Sequence, residues 1–265
     1  MLVEIYRRAA LCRAFEEEVY RRVKAKEIRC PVYLSSGQET IAATLSVYLE
    51  KHNPAVFVQH RNHAQYLCFG GDMGHLIREL TGGDTGMQGS ASIAHGDIFG
   101  HDGFMGSQVP IATGYCHATN RPTICFLGDA AAEEDYVLAS LGWAATKNLP
   151  ILFVVEDNNL AILTEKKVRR SWDVERVAFA LGVDAVGCAD EPRGLTWNIE
   201  LAFKHPQLLN ANTTRLYWHA GAGKDGDYFD RHAKEAKNIP DAESIDAVAR
   251  TIVGARWRLE TQSAA

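Results

Sequence analysis

Residues 123–159, TICFLGDAAAEEDYVLASLGWAATKNLPILFVVEDNN, decide the fold. The stretch contains two apolar runs, at residues 123–127 and 150–155, and residues 133–147 between them carry apolar side chains at helical spacing. A strand, a helix and a strand in succession predict a βαβ unit, and runs this apolar are typical of strands that are covered on both faces. We therefore predict an α/β fold with a mostly parallel sheet and helices on both faces.

The remaining sequence is consistent with one α/β domain spanning residues 1–265. Helical spacing predicts a first helix at residues 1–27, interpreted as an appendage to that domain. Further helices are predicted at residues 38–49, 174–181, 197–204 and 245–259, and short strands at residues 55–58, 185–186 and 214–218. Glycines crowd residues 70–106 among His, Gln, Phe and Met, which indicates folded loops where backbone approaches another group closely.

Composition excludes several classes of protein. The chain has 265 residues, and its 28 Lys and Arg against 33 Asp and Glu give a formal charge of −5, so no electrostatic reason favours nucleic acid or an anionic membrane. No apolar run approaches the roughly 18 residues of a membrane span, and charges interrupt residues 1–18 too often for a signal peptide. Six scattered cysteines without a CxxC motif predict free thiols and a cytoplasmic location.

Polar residues follow both strands of the βαβ unit. Gly128-Asp129 ends the first strand, and Asp157-Asn158-Asn159 ends the second. Ligands bind beyond the carboxyl ends of parallel strands, so we expect Asp129 and Asn158 to converge although 29 positions separate them. Carboxylate and amide oxygens suit Mg²⁺ or Ca²⁺ better than zinc, and the start of the following helix favours an anion. The pattern predicts a cation holding a phosphate.

The pattern GDA-x₂₇-NN resembles the thiamine-diphosphate motif GDG…NN. Further motifs occur in order at residues 37–39 (GQE), 60–63 (HRNH), 86–95 (GMQGSASIAH), 103–114 (GFMGSQVPIATG) and 216–221 (LYWHAG). Together they resemble the α subunit of the 2-oxo acid dehydrogenase decarboxylases of pyruvate, acetoin and branched-chain type. The resemblance covers residues 37–164 well and the remainder thinly. It implies the diphosphate-binding half of a thiamine-diphosphate-binding fold.

Carried over residue by residue, the resemblance implies that Asp129, Asn158 and the backbone carbonyl of Leu160 hold Mg²⁺. It also implies that Ala130 and Ala131 donate backbone N–H groups to the diphosphate of thiamine diphosphate. The cofactor would serve as the electron sink for decarboxylation.

Other residues are placed around the cofactor by the same resemblance. Arg61 would pair with the diphosphate, and His60 would lie beside the cofactor. The backbone of Gly103 and Met105 would contact the aminopyrimidine ring. His63 and His219 match histidines on the thiazolium side, which makes them candidates for proton transfer or for binding the substrate carboxylate.

Three features depart from the family pattern. Ala130 replaces a glycine, which is acceptable only if the backbone does not need a positive φ there. Acidic residues at 133–135 replace neutral ones, and we expect them to point outward because they would repel a diphosphate. Tyr33 stands where many relatives have histidine. These changes bear on the substrate and on full activity more than on the fold.

The resemblance also implies a partner, because the glutamate that activates the cofactor lies on a separate β chain in that family. Glu39 is the one glutamate within the quoted motifs, and its position favours a structural role at a helix start. We therefore expect this chain to be nearly inactive by itself and to form an α₂β₂ assembly with a β-type subunit. A lipoyl or acyl-carrier protein is a possible acceptor of the acyl unit.

Other interpretations stay open at this point. Residues 221–226 (GAGKDG) match GxGxxG, but the nicotinamide-binding motif needs a helix and then a strand, whereas a mobile glycine-rich loop at residues 220–230 fits the composition. The amino-terminal half of a split transketolase, which transfers a ketol unit, shares the metal–diphosphate motif. A non-catalytic subunit that only binds the cofactor is the third alternative.

Overall fold

A six-stranded parallel sheet forms the centre of the fold. A computed structural model describes residues 1–83, 96–100, 103–196, 199–221, 223–224 and 228–262. The sheet strands are β1 (Ala55–Phe57), β2 (Ile98–Phe99), β3 (Thr123–Gly128), β4 (Ile151–Asp157), β7 (Asp184–Ala189) and β8 (Gln207–Asn212). They lie in the order β2-β1-β3-β4-β8-β7, and a separate antiparallel hairpin pairs β5 (Leu160–Ala161) with β6 (Thr164–Glu165).

Helices cover both faces of this sheet. They are α1 (Leu2–Lys24), α2 (Glu39–Leu49), α3 (His63–Cys68), α4 (Met73–Leu80), α5 (Gln108–Thr119), α6 (Asp135–Lys147), α7 (Lys166–Arg169), α8 (Val174–Ala180), α9 (Pro192–Leu195), α10 (Arg231–Ala236) and α11 (Ala242–Gln262). Short 3₁₀ turns occupy Glu50–His52, Ala131–Glu133 and Ile199–Leu201.

Alternate residues of the central strands belong to two different cores. Phe126 and Val154 pack into the core that contains α1, α2 and α11, whereas Cys125 and Phe153 pack into the core beneath α5, α6 and α8. Successive side chains of a strand point to opposite faces, so both faces of the sheet are buried. Burial on both sides is why β3 and β4 read as continuous apolar runs, and it confirms the predicted α/β class.

The first helix is an integral part of the core, which corrects its interpretation as an appendage. Phe15 and Val19 of α1 are fully buried. The Phe15 ring stacks on Trp257 of α11 with 6.1 Å between ring centroids. The apolar face of α1 is buried because α2 and α11 pack along it. A helix with such a face gains its stability from tertiary packing.

Two sequence predictions after residue 190 are wrong. Residues 214–218 were expected to form a strand, but they run as a loop whose Tyr217 makes a single bridge to Lys224, and the sixth strand is β8 instead. The helix expected at residues 197–204 is reduced, in its described part, to the 3₁₀ turn Ile199–Leu201. In both places pairing or packing with distant residues overrides local propensity.

Some expectations fall outside the described residues, namely the motif at residues 86–95 and part of the loop at residues 220–230. All six cysteines are free thiols, as predicted. In the part of the chain that the structure describes, none of the helices combines the length and the apolar character needed to span a bilayer.

Candidate cofactor site

The carboxyl ends of β3 and β4 lie side by side. Their register pairs Thr123 with Ile151 and Gly128 with Glu156, so the residues that follow both strands emerge at one edge of the sheet. Asp129 follows β3, and Asn158 follows β4. The sheet thereby brings the two motifs together, as the βαβ pattern predicts.

A cavity of about 240 Å³ opens at this edge. Most of the predicted site residues line it: His60, Arg61, Met105, Asp129, Ala130, Ala131, Asn158, Leu160 and His219. Larger concavities of about 550 and 650 Å³ lie elsewhere on the surface, but neither contains any of these residues. Chemistry rather than volume therefore identifies the candidate site.

The alanine that replaces a motif glycine is conformationally ordinary. Ala130 has φ −73° and ψ −35°, a right-handed conformation open to any L-residue, so the positive φ that would have excluded alanine is not required. The N–H groups of Ala130 and Ala131 belong to a 3₁₀ turn, while α6 begins only at Asp135. The prediction that the long helix itself starts at this site is therefore wrong, although the turn keeps both amides beside the cavity.

Asn158 is oriented by a neighbour from the GQE motif. Its Nδ2 donates to Oε1 of buried Gln38 at 3.3 Å, and its Oδ1 accepts the N–H of Leu160 at 3.1 Å. Asp157, the preceding residue, is turned inward and pairs with Lys166. Asn158 therefore lines the cavity, whereas Asp157 does not.

The Asp129 carboxylate is buried and carries its own counter-ion. Arg169 pairs with Oδ2 of Asp129, and Arg170 donates to the Asp129 backbone carbonyl at 3.0 Å. Burial and the neighbouring Asp157 carboxylate raise the pKa of Asp129 to about 6, while the two arginines act in the opposite direction. Sequence analysis missed both arginines, because the run KKVRR at residues 166–170 resembles a solvated charged segment.

The expectation that the acidic residues at 133–135 point outward is wrong for the first of them. Glu133 Oε1 lies 3.0 Å from Arg169 and 3.5 Å from Arg170, so its charge is directed at the arginines. Asp135 is exposed. The pairing with two arginines removes the repulsion that motivated the prediction.

A further carboxyl group that sequence analysis did not single out lines the cavity. Glu156 is the last but one residue of β4 and is fully buried. It accepts hydrogen bonds from Gln59 and, at 2.6 Å, from Gln65. Burial raises the pKa of Glu156 to about 8, and these donors together with the Arg61 charge only partly offset that rise. The signal in the sequence was a glutamate ending an otherwise apolar run.

Arg61 forms one wall of the cavity. Its guanidinium is buried and donates to the Leu34 carbonyl at 2.7 Å and to the His219 carbonyl at 3.2 Å. Beside it, the rings of His60, His219 and Tyr33 form a cluster with centroids 4.8 to 5.4 Å apart. Arg215, which is also buried, lines the cavity too, so the site contains two buried guanidinium groups and two imidazoles.

Two predicted residues do not line the cavity. His63 is fully buried, and its Nδ1 lies 3.0 Å from Oε2 of Glu16, whose other oxygen, Oε1, accepts the Ser35 N–H at 2.6 Å. Gly103 is exposed, with φ +100°. The structure therefore does not bring His63 to the atoms that the other predicted residues surround.

The donor set has a definite chemical character. The Asp129 carboxylate, the Asn158 amide and the Leu160 backbone offer oxygens, which are the ligands that hard divalent cations such as Mg²⁺ prefer. Arg61 and the amides of Ala130 and Ala131 offer hydrogen-bond donors, which suit a phosphate. These groups at the parallel-sheet edge have the chemistry to hold a cation and a phosphorylated ligand.

Comparison with known proteins shows the family. The chain belongs to the dehydrogenase E1 component family, whose model matches residues 7–188. His219 lies beyond the matched residues, whereas the other predicted site residues lie within them.

Among curated proteins, the pyruvate dehydrogenase E1 component subunit alpha of Zymomonas mobilis is 31% identical over 174 residues, which cover 62% of this chain and 49% of that protein. The protein of the same name from Rickettsia bellii is 28% identical over 173 residues, covering 61% of this chain and 53% of that one. The chain spans about half the length of the curated relatives that it matches.

Among solved structures, a transketolase from Leishmania mexicana superposes on 97% of this chain and 46% of its own, with a TM-score of 0.63 and 14% identity. At that identity the likeness concerns the fold alone. It covers a larger share of the chain than the family match at residues 7–188 does.

Proposed function

We propose that this chain is the α-type subunit of a two-chain thiamine-diphosphate enzyme that decarboxylates a 2-oxo acid and passes the acyl or aldehyde unit to an acceptor. The observation that carries the proposal is the cavity at the ends of β3 and β4, where oxygen ligands and phosphate donors from the family's motifs converge. Membership of the dehydrogenase E1 component family supports it. The reducing cytoplasm that we propose as its compartment is consistent with six free thiols.

The residues present fit a magnesium diphosphate. Asp129, Asn158 and the Leu160 carbonyl would hold Mg²⁺, because all three residues line the same cavity and carry oxygen ligands. Arg61 and the amides of Ala130 and Ala131 would bind the diphosphate oxygens. When bound, thiamine diphosphate supplies the electron sink for decarboxylation.

The remaining cavity residues would act on the substrate side. We assign His219 to binding the substrate carboxylate or to moving a proton, and His60 to a place beside the cofactor ring, because both imidazoles border the cavity. His63 keeps a proposed role only through its contact with Glu16. Glu16 also accepts the N–H of Ser35, two residues before the GQE motif, and so holds the backbone at that point. Met105 lines the cavity, and Gly103 precedes it in the same loop.

A β-type partner is the second half of the proposal. Large apolar side chains are exposed near the cavity, including Met105 of its lining and the adjacent Phe104, of which 75% is exposed. Ile162, another lining residue, and Leu163 beside it are also exposed. Exposed apolar groups around a ligand cavity are typical of a surface that another chain covers. We propose that this partner supplies the activating glutamate in an α₂β₂ assembly, and that a lipoyl or acyl-carrier protein accepts the product.

The test combines binding and turnover. Calorimetry should detect Mg²⁺-dependent binding of thiamine diphosphate, strengthened by a β-type partner, and Asp129→Ala should abolish it whereas Asp135→Ala should not. Release of CO₂ from pyruvate and branched-chain 2-oxo acids should require the partner. Full turnover by the chain without a partner would contradict the two-chain proposal.

The alternatives give different results in the same experiment. A split transketolase would use ketose phosphates and release no CO₂, and a non-catalytic subunit would bind the cofactor without turnover of any donor. The transketolase likeness at 14% identity does not favour ketol transfer, since it concerns the fold. Nicotinamide binding is contradicted, because residues 228–262 contain helices α10 and α11 and no strand after the glycine-rich motif.

A further inference from the structure

The segment after the β5–β6 hairpin sends two consecutive arginines to Asp129. Arg169 pairs with the Asp129 carboxylate and lies 3.0 Å from Glu133, while Arg170 binds the Asp129 backbone carbonyl at 3.0 Å. The side chains of Asp129 and Arg169 are only 3% and 12% exposed. The pair is therefore shielded from water, unlike an ordinary surface ion pair.

The electrostatic surroundings explain why Asp129 needs a counter-charge. A buried carboxylate is costly unless it is paired, and a second carboxylate, that of Asp157, lies close by. Lys166 pairs with Asp157 and Arg169 pairs with Asp129. Each of the two acids is thus compensated by a cation from the same short segment.

Arg169 and a divalent cation would compete for this carboxylate. A cation bound to Asp129 would place two positive charges beside one carboxylate in a buried setting, where repulsion is screened less than in water. The Arg169 side chain is the one that must then withdraw, because Arg170 is held by a backbone carbonyl and stacks on Trp172 with its guanidinium 4.6 Å from the ring centroid.

Helix α7, which contains Arg169, makes little apolar contact with the rest of the fold. Helix α7 buries no apolar side chain, because Val168, its one apolar residue, is 72% exposed. Helix α7 is held at the sheet edge by the ion pair between Lys166 and Asp157 and by the backbone hydrogen bond from the Lys166 N–H to the Asn159 carbonyl at 2.9 Å. Segments with few buried apolar contacts open at low free-energy cost.

We propose that Arg169 is the resident counter-ion of Asp129, that a divalent cation must displace it to bind, and that the displaced guanidinium then binds the diphosphate. The inference rests on the proposed function, since it assumes that Asp129 is the metal ligand. It predicts two opposite effects of removing the arginine. The chain should bind the metal alone more tightly, because a competitor is lost, and should bind diphosphate more weakly, because a cationic donor is lost.

The experiment measures Mn²⁺ binding to the purified chain by electron paramagnetic resonance, first with metal alone and then with inorganic pyrophosphate at saturating Mn²⁺. Arg169→Gln should bind Mn²⁺ more tightly than the unaltered chain, within the about 5- to 150-fold range of coupling between sites, and should bind pyrophosphate more weakly. Arg169→Lys, which keeps the charge, should bind Mn²⁺ nearly as the unaltered chain does. Lys167→Gln is the matched control, because Lys167 is exposed and pairs with Glu165 rather than with Asp129, and it should change neither affinity.

The outcomes separate the inference from the function on which it rests. Mn²⁺ binding that depends on Asp129 but is equal or weaker in Arg169→Gln would overturn the inference and leave the metal site intact. Tighter binding of both metal and pyrophosphate would overturn the second half, in which the arginine moves to the diphosphate. If Mn²⁺ binding did not depend on Asp129 in any of the proteins, so that Asp129→Asn abolished nothing, both the proposed function and the inference would be overturned. Circular dichroism melting of each variant verifies that it is folded.

Discussion

Gly37→Ala is expected to be among the most damaging single-methyl changes in this chain. Gly37 has φ +100°, and a Cβ built there would lie 2.1 Å from the Thr214 carbonyl oxygen, far inside van der Waals contact. The surrounding turn is fixed, because the Gly37 N–H donates to Glu39 at 2.5 Å and Glu39 pairs with Arg13. The Gly37 backbone cannot retreat without breaking these contacts.

The magnitude follows from two separable costs. A positive φ costs an L-residue about 1–3 kcal/mol, and forcing a methyl group into packed backbone costs about 1–3 kcal/mol more. Gly70→Ala isolates the first cost, because Gly70 has a similar φ of +93° with no heavy atom within 4 Å of the added carbon. We therefore expect Gly37→Ala to lose about 2–6 kcal/mol of unfolding free energy and Gly70→Ala only the conformational part of about 1–3 kcal/mol.

Urea unfolding at equilibrium, followed by circular dichroism, measures both losses. Because Gly37 precedes Gln38, which orients Asn158, the variant should also bind Mn²⁺ more weakly, whereas Gly70→Ala should not. If the two variants lost equal stability, the close approach to Thr214 would not restrict this position and the reasoning would be wrong.

Three further predictions concern single contacts. Gln38→Leu removes the acceptor that orients the amide ligand, and Mn²⁺ affinity should fall about 10- to 100-fold; unchanged affinity in a titration would show that this contact positions nothing. Glu16→Leu leaves His63 and a backbone N–H without their acceptor and should cost about 1–3 kcal/mol of unfolding free energy in urea. Calorimetry should find the affinity for thiamine diphosphate unchanged. A larger loss of affinity than of stability would show that His63 acts at the cofactor site. Although burial acts to raise it, hydrogen bonds and charge from Arg13 lower the pKa of Asp230, so its stabilising effect is present above the ordinary pKa and is lost as pH falls through the lowered one. Asp230→Asn should therefore cost about 1–2 kcal/mol near neutral pH, and the difference from the unaltered chain in thermal melts should shrink as pH is lowered from 5 towards 3; a constant difference would contradict the ion-pair explanation.

The central strands were predictable because their signal is local. Strands β3 and β4 are apolar throughout, since both faces of the sheet are buried, and no alternative element fits such short runs. Strand β8 was not predictable, because its sequence QLLNAN includes only two large apolar residues and its strand character comes from pairing with β4 and β7. Residues 214–218 have the composition of a strand but no neighbouring strand with which to pair, apart from the single described bridge at Tyr217.

The residues of the candidate site also include some that the sequence predicts and some that it does not. Asp129 and Asn158 could be predicted because parallel pairing of consecutive strands determines that their ends meet. Arg169 and Glu156 could not be predicted as site residues. Charged runs and glutamates at strand ends occur both exposed and buried in proteins, and only the fold shows that these two are largely buried. His63 was expected at the cofactor but does not line the cavity. Its closeness in sequence to Arg61 does not determine that both side chains point in the same direction.

The conformation of Ala130 has a consequence for how such chains are found. The third letter of the GDG pattern is commonly a glycine, yet here the peptide at this position adopts an ordinary right-handed turn and keeps its amide beside the cavity. The backbone freedom of glycine is therefore not needed at this position. A pattern search that insists on glycine will pass over sequences like this one, whereas a search that admits any small residue will retrieve them.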